Sequence, residues 1–592
     1  MITTHRLSED AFLALASGLG GSATVLHLRE VQRSKHLMLL RAVAEGAVGA
    51  DPDPLAITAF RAGYRLLAAV QAADPEAVAW LLDLAHIGGW AHDCLIRIDK
   101  GSMPDLGYLA WVAAAAAVRA GIQFELDVPV RQGRVLLPGL GGFRVATEDG
   151  WICLRSDGKR LTSDDARIDA PCVALVPDDG SGEAILHWQG TPMVRATADG
   201  IVWRVLLETS DRYLDRYTLP MATTLTVHEV AGWRRIIESA WEILVRYHSW
   251  TAGPVADGVS VIVPLIPQHD TDLVGGTSPA AFGAIATSWP HDPVIMAETL
   301  VHEFQHLKLC GLMDMLPLIR PGGEKVYAPW RQDPRPTGGL LQGVYAHLGI
   351  ARFWDAQRHV EADPDHVLRA EVMYERWRPT IEQATSTLLD SGCLTPTGIR
   401  FVGMIRDQGR SLASRSVSAA ARDIAEQVAL DHWLTWQLRH TAIDAGEVAR
   451  LAASYQRGEP LGKQVLPEFA IAEDTRRMDS TIRSRLLDMR YLEPWRYRRL
   501  RATDMPGLTA ADRLLANDDP RGALDAYRDH IKAAADPLPD AWVGLALAIH
   551  RLPPSPLRQV FATKLPLMFD MYTRLLEEGI LTDPFDLAAW LL

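Results

Sequence analysis

The sequence predicts an α+β fold, predominantly helical, organised around one metal-binding helix. Three observations predict it. Apolar residues recur at helical spacing over most of the chain, the period changes to two between residues 122 and 215, and a capped apolar helix near the middle carries two histidines four apart. With 592 residues the chain is long enough for roughly two to four domains and a large core. A net charge of −13 without a basic run argues against nucleic acid as a partner. No apolar run reaches the roughly 18 residues of a membrane span, and Met1–Leu7 leads into no signal-peptide core. The expected location is therefore cytoplasmic, with no membrane partner. Cys94, Cys153, Cys172, Cys310 and Cys393 lack CxxC spacing, which argues against a zinc ribbon or a disulfide framework.

Residues 1–121 read as an N-terminal helical region. Asp53-Pro54 and Asp74-Pro75 are cap-then-proline starts, and Tyr108 to Ala120 is apolar enough for a core helix. Residues 122–215 read as an inserted, small β subdomain. Phe124, Leu126, Val128 and Val130 alternate with polar residues or proline. Further strands are expected at Val135–Leu137, Trp151–Leu154, Cys172–Val176, Ile185–Trp188 and Val202–Leu207. Residues 216–360 form the expected metal-binding core, with a helix over Trp233–Tyr247 and strands at Val259–Leu265 and Ala280–Thr287 leading into the histidine helix. Helix, strands and then a metal-binding helix is the zincin-like order, a fold-level analogy. Residues 361–592 read as a C-terminal helical region, with helices at Ser418–Leu438 and Ala445–Tyr455. Asp519 to Leu552 reads there as one tetratricopeptide-like helix pair.

The chemistry concentrates at residues 292–316. Asp292 is a good N-cap and Pro293 fits the first helical position. Val294, Ala297, Val301, Phe304 and Leu307 mark an apolar face, while His302 and His306 share another with Glu303 beside them. Two imidazoles at i and i+4 grip one divalent ion, and the neighbouring carboxylate handles a proton or a water. Cys310 reads as a small buried hydrophobe at the edge of this site.

A mononuclear site needs a third ligand. Leu312 stands where a metzincin has its third histidine. Glu324 lies near the downstream distance of a thermolysin-like glutamate, but Arg320-Pro321-Gly322-Gly323-Glu324 is a turn sequence rather than a helix. His347 is the stronger candidate, because it falls on the inward stripe of Leu340, Val344, Ala351 and Trp354. Gly343, one turn earlier, would permit a close approach between the two helices. Between them, Lys325–Pro336 carries Arg331 and Arg335 in a proline-stiffened loop suited to clamping an anionic cosubstrate.

Three blocks carry a resemblance. Leu300-Val301-His302-Glu303-Phe304-Gln305-His306, Ala328-Pro329-Trp330-Arg331-Gln332-Asp333-Pro334-Arg335-Pro336 and Gly343-Val344-Tyr345-Ala346-His347 together resemble the HExxH-motif proteins of ribosomal-peptide (RiPP) biosynthesis, the αKG-HExxH peptide β-hydroxylases. Phe12–Gly20 and Glu493–Leu500 look like the same family, so the resemblance covers nearly the whole chain. It implies a stand-alone Fe(II), 2-oxoglutarate-dependent dioxygenase that uses O₂ to hydroxylate the Cβ of a residue in a ribosomally made precursor peptide. His302 and His306 would hold the iron. Iron of this kind ordinarily has two histidines and one carboxylate, a pattern from which His347 departs. Under this reading Arg331 or Arg335 binds the distal carboxylate of 2-oxoglutarate, Arg331 being favoured because Trp330 beside it could wall the pocket. The alternatives are a zinc metallopeptidase with Glu303 activating water and a non-catalytic scaffold stabilised by a metal.

Overall fold

Short acidic caps start the helices at Asp53, Asp74 and Asp292, where the sequence places them, and at Asp363 as well. Asp53, Asp74, Asp292 and Asp363 each accept backbone N–H groups at a helix start, and each is followed by proline. A computed structural model of the protein describes residues 4–47, 53–165, 168–176, 187–217, 219–266, 274–290, 292–413, 415–462, 466–467, 469–472, 481–500 and 505–592. The chain divides into two compact units, Met1–Pro317 and Leu318–Leu592. The division falls within the stretch 216–360 that the sequence groups as one core. Each unit is mostly helical with small sheets, an α+β protein of mainly helical character.

The first unit opens with the helices Glu9–Ala16, Ser22–Gly46, Pro54–Ala73, Pro75–Leu82, Ala85–Asp99 and Tyr108–Ala120. The last of these is buried from Tyr108 through Val118, so it packs as a core rod rather than as an amphipathic surface helix. The period-two stretch then forms Gln123–Val130, the edge of a four-stranded sheet, pairing antiparallel with Gly150–Asp157. Arg134–Leu137 pairs with Gly141–Arg144 in a second small sheet.

Two strand expectations change. Cys172–Leu175 is a single helical turn, not a strand. Cys172 and Leu175 are buried three residues apart while Val173 is 82% exposed, a helical spacing that β-propensity alone hides. Of the strand expected at Ile185–Trp188, residues 185 and 186 lie outside the described residues, and the strand that is described runs Trp188–Gly190.

A five-stranded mixed sheet lies at the centre of this unit's second half. Its order is Gly275–Gly276, Ala284–Ser288, Val261–Leu265, Ile201–Leu207, Met193–Ala198. The inner three strands run parallel to one another, and the two edges run antiparallel to their neighbours. Both strands from before residue 215 therefore share a sheet with strands from after it. The strand expected at Ala280–Thr287 starts only at Ala284, because Gly283 turns the chain at φ 95°. From that strand the chain passes into the helix Pro293–Met313, which packs against Val227–Tyr247 and Ser22–Gly46.

One buried cation ties the start of the chain to this helix. Lys308 is 1% exposed, and its Nζ donates to the carbonyls of Gly18 at 2.9 Å and Leu19 at 2.8 Å. Gln305 donates to the Gly18 carbonyl as well, at 3.1 Å. Gly18 and Gly20 both lie at positive φ, so the loop turns its carbonyls inward at little steric cost.

The second unit begins with a two-residue hairpin, Lys325–Val326 on Arg335–Pro336. The helices Thr337–Gln357, Pro364–Asp390, Pro396–Ala413 and Ala419–His440 follow. Near the end the expected helix pair is Pro520–Ala533 and Pro539–Arg551, which pack together and join Pro556–Thr563, Leu565–Glu577 and Pro584–Trp590 around Trp542, Phe561 and Met568. None of the five cysteines is in a disulfide. Among the described residues no helix is long and apolar enough to cross a membrane.

Lys308→Met keeps the side chain's length and removes its donors. It should destabilise the protein by about 2–4 kcal/mol, because hydrogen bonds from a charged donor are lost and buried carbonyls stay behind. Urea unfolding checks this, and an unchanged midpoint would mean that those carbonyls find other donors.

Candidate metal centre

The helix Pro293–Met313 is buried nearly all round. Ala297, Leu300, Val301, Phe304 and Leu307 lie in the interior, and a stripe through His302, His306 and Cys310 is only partly covered. Cys310 is thus half-buried beside the site, rather than the buried hydrophobe expected of it. His302 and His306 turn their Nε2 atoms towards each other at 3.1 Å, with ring centroids 4.8 Å apart and planes at 73°. At that separation one ring can donate to the other, or both can offer lone pairs to one ion. Ligand bonds of about 2.0–2.1 Å place two nitrogens about 3.0–3.4 Å apart, so the pair fits a shared divalent metal.

Glu303 points to the other side of this stripe. It is 3% exposed, its Oε2 accepts from the Thr277 hydroxyl at 2.7 Å, and its Oε1 lies 4.0 Å from His302 Nε2. Thr277 also donates to the Glu303 backbone carbonyl at 3.2 Å. The edge strand Gly275–Gly276 crosses directly over the carboxylate, for a Cβ on Gly275 would stand 2.5 Å from Oε1. Burial pushes the Glu303 carboxyl above the ordinary carboxylate range, against the opposing pull of His306 and the Thr277 hydroxyl. Tyr217 completes this wall. Its ring lies against Gly276, and its buried hydroxyl has no hydrogen-bond partner among the described residues. Burial, and then the Glu303 charge, raise its pKa. Neither Thr277 nor Tyr217 is legible as a site residue in the sequence. Thr277 is 26 positions before Glu303, and the only local signal is the glycine pair that precedes it.

The second unit holds His347, Arg331, Arg335 and Glu324. His347 is 4% exposed on the helix Thr337–Gln357, and its Nδ1 is 2.8 Å from the Gly343 carbonyl. A carbonyl only accepts, so Nδ1 carries the proton and Nε2 the lone pair, the tautomer a metal ligand requires. Trp330 stacks on the ring at 4.4 Å with planes 17° apart, and Trp377 meets it edge-on at 4.7 Å. The bare face of Gly343, expected to admit a helix, is filled by Trp330. A Cβ there would stand 2.2 Å from the indole Nε1.

Arg331 and Arg335 converge on one acid. Arg331 Nε donates to Asp333 Oδ1 at 3.0 Å, and Arg335 Nη1 to Oδ2 at 3.1 Å. Burial pushes the Asp333 carboxyl up, but the two guanidiniums outweigh it and hold the group below its usual range. The loop that carries them is tied to the helix Ala419–His440. Burial pulls His432 down to about 4, so its neutral ring accepts the Tyr327 hydroxyl at Nδ1, 2.8 Å away. His440 Nε2 donates to the Gln332 carbonyl at 2.6 Å. Glu324 is exposed in an irregular segment, as its turn sequence implies.

Gly343→Ala should drive Trp330 off its seat and loosen the stack on His347, at a cost of about 1–3 kcal/mol. In a Trp330→Ala background the same change should cost much less. Equal costs in the two backgrounds, measured by denaturant unfolding, would show that the indole is not what the methyl displaces.

Compared with the models of known protein families and with curated proteins, the chain matches none.

Proposed function

We propose that the protein is a non-haem Fe(II), 2-oxoglutarate-dependent oxygenase of the αKG-HExxH peptide β-hydroxylase kind, with a zincin-like core. Its substrate is a ribosomally made precursor peptide, hydroxylated at a Cβ. The observation that carries this reading is the pair of facing Nε2 atoms, 3.1 Å apart, on the one partly open stripe of an otherwise buried helix. The zincin-like order is supported by a helix, a mixed sheet with an antiparallel edge strand, and then the histidine helix.

His302 and His306 are the residues to hold iron. His347 is proposed as a further ligand on the strength of its tautomer, with a carboxylate such as Glu324 the alternative. The bound metal supplies oxidation of a C–H bond by O₂, coupled to conversion of 2-oxoglutarate to succinate and CO₂. The chain's own groups orient and exclude. Thr277 holds Oε2 of the Glu303 carboxylate by a hydrogen bond and the Gly275–Gly276 strand packs against Oε1, so the group acts as a fixed wall of the histidine pair. Arg331 is proposed to take the distal carboxylate of 2-oxoglutarate, exchanging Asp333 for the cosubstrate. A guanidinium already facing one carboxylate is well disposed to pair with another.

A second reading, a zinc metallopeptidase, is favoured by one observation, the 4.0 Å between Glu303 Oε1 and His302 Nε2. Incubating the apo-protein with Fe(II), 2-oxoglutarate, O₂ and the peptide encoded beside it tests both. The oxygenase yields succinate and a peptide heavier by one oxygen atom, and His302→Ala or His306→Ala abolishes both products. Glu303→Gln should retain succinate formation in an oxygenase and be nearly inactive in a peptidase. Metal-dependent peptide cleavage that vanishes in Glu303→Gln would overturn the oxygenase.

Arg331→Lys should raise KM for 2-oxoglutarate about tenfold or more while iron binding stays unchanged, because an ammonium cannot reproduce the bidentate fork. Arg335→Lys should have a smaller effect. If both variants keep the wild-type KM, the cosubstrate is held elsewhere.

A further inference from the structure

A second group of metal-ligating side chains lies away from the HExxH motif, where the extended segment before the first helix crosses the helix Ser22–Gly46. His27 and Glu30 sit one turn apart on that helix, and His5 is laid over them from the N-terminal segment. One ligand atom from each of the three lies within 4.8 Å of the other two. His27 Nδ1 is 3.7 Å from Glu30 Oε2, too long for a hydrogen bond and close to the spacing of two atoms bound to one ion.

The ring of His5 is held in place by a neighbour. His5 Nε2 is 2.8 Å from the hydroxyl of Ser34, which lies on the same helix. That contact orients the ring as a ligand's outer hydrogen bond does and leaves Nδ1 for coordination. His27 Nε2 is out of solvent and has no hydrogen-bond partner among the described residues. Arg6 and Arg33 line the same open pocket, and Asp83 engages Arg33 through both carboxylate oxygens while also accepting from Arg29, so Glu30 is the acid that must balance a bound cation there. Glu30 is 62% exposed, so one side of the group faces water and leaves a coordination position for it.

We propose that His5, His27 and Glu30 form a binding site for a divalent cation of the zinc class, independent of the HExxH pair. Two imidazoles and one carboxylate are the donor set that borderline divalent ions prefer, and three protein ligands with one open position are a zinc arrangement. The bound ion fastens the N-terminal segment to the helix Ser22–Gly46, one short helix before the loop that Lys308 holds.

The test uses the full chain carrying His302→Ala and His306→Ala, stripped of metal and titrated with Zn(II) alone by calorimetry. One equivalent should bind and raise the melting temperature. Adding Glu30→Gln, a change at an exposed position, or His27→Ala should abolish both effects. A folded double variant that binds no Zn(II), or a bound equivalent that survives Glu30→Gln and His27→Ala together, overturns the site. Should the double variant fail to fold, the comparison moves to the wild-type background. There the Glu30→Gln, His27→Ala chain should bind one Zn(II) fewer than its parent, and an equal number overturns the proposal. Loss of oxygenase activity in the HExxH variants has no bearing on either outcome.

Discussion

An ammonium group held inside the first unit positions its histidine helix. Lys308 lies two residues past His306, and its charge is met by backbone carbonyls of a loop nearly three hundred residues earlier. A buried lysine with no acceptor would lose its proton or open the structure, so the Gly18–Leu19 loop and the histidine helix fold as one piece. Close packing does the rest. Phe304 fits against the backbone of Gly258, and Phe282 and Leu28 fit against Gly311. With those faces filled, the stripe through His302 and His306 is left only partly covered.

The elements announced by local chemistry were legible in the sequence. Asp-Pro starts, an apolar run from Tyr108 to Ala120 and the HExxH spacing each act over one or two turns, so a single strand of text contains them. What depends on pairing was not legible. Nothing local says that Met193–Ala198 and Ile201–Leu207 join a sheet with Val261–Leu265, because that register is set between segments more than fifty residues apart. Cys172–Leu175 misled because four apolar residues between turns satisfy both periods. Lys308 was missed for a related reason. A lysine between apolar residues reads as solvent-facing, and only the distant carbonyls make it an interior group. For the candidate site, His302, Glu303 and His306 come together as their spacing implies, whereas Thr277 and Tyr217 arrive through the edge strand Gly275–Gly276.

In the second unit the aromatic residues set geometry that polar contacts alone would leave loose. An imidazole hydrogen-bonded at one nitrogen can still tilt about that bond. His347 cannot, because Trp330 covers one face and Trp377 abuts its edge. Trp330 is itself held by a loop pinned at Tyr327 and Gln332, where Trp433 and Trp436 also meet the Tyr327 ring. The prolines of that loop restrict the unfolded chain, so the two arginines flanking Asp333 are ordered at a lower entropic cost.

The two outer blocks of the resemblance gain a physical meaning from this arrangement. Phe12–Gly20 looks unremarkable as text, yet it supplies the carbonyls that receive Lys308 and Gln305 of the histidine helix. Glu493–Leu500 is as plain, and Arg498 there pairs with Asp365 at 2.6 Å, in the first turn of the helix Pro364–Asp390. That helix carries Trp377, the edge-on neighbour of His347, and Arg376, which donates to Asp488 and Tyr491 just upstream of the block. Each outer block therefore touches a helix that presents or packs a candidate ligand. The first block does so through backbone carbonyls, which constrain little beyond the glycines at positive φ, and the second through a solvent-exposed ion pair, so both blocks are weak as signatures.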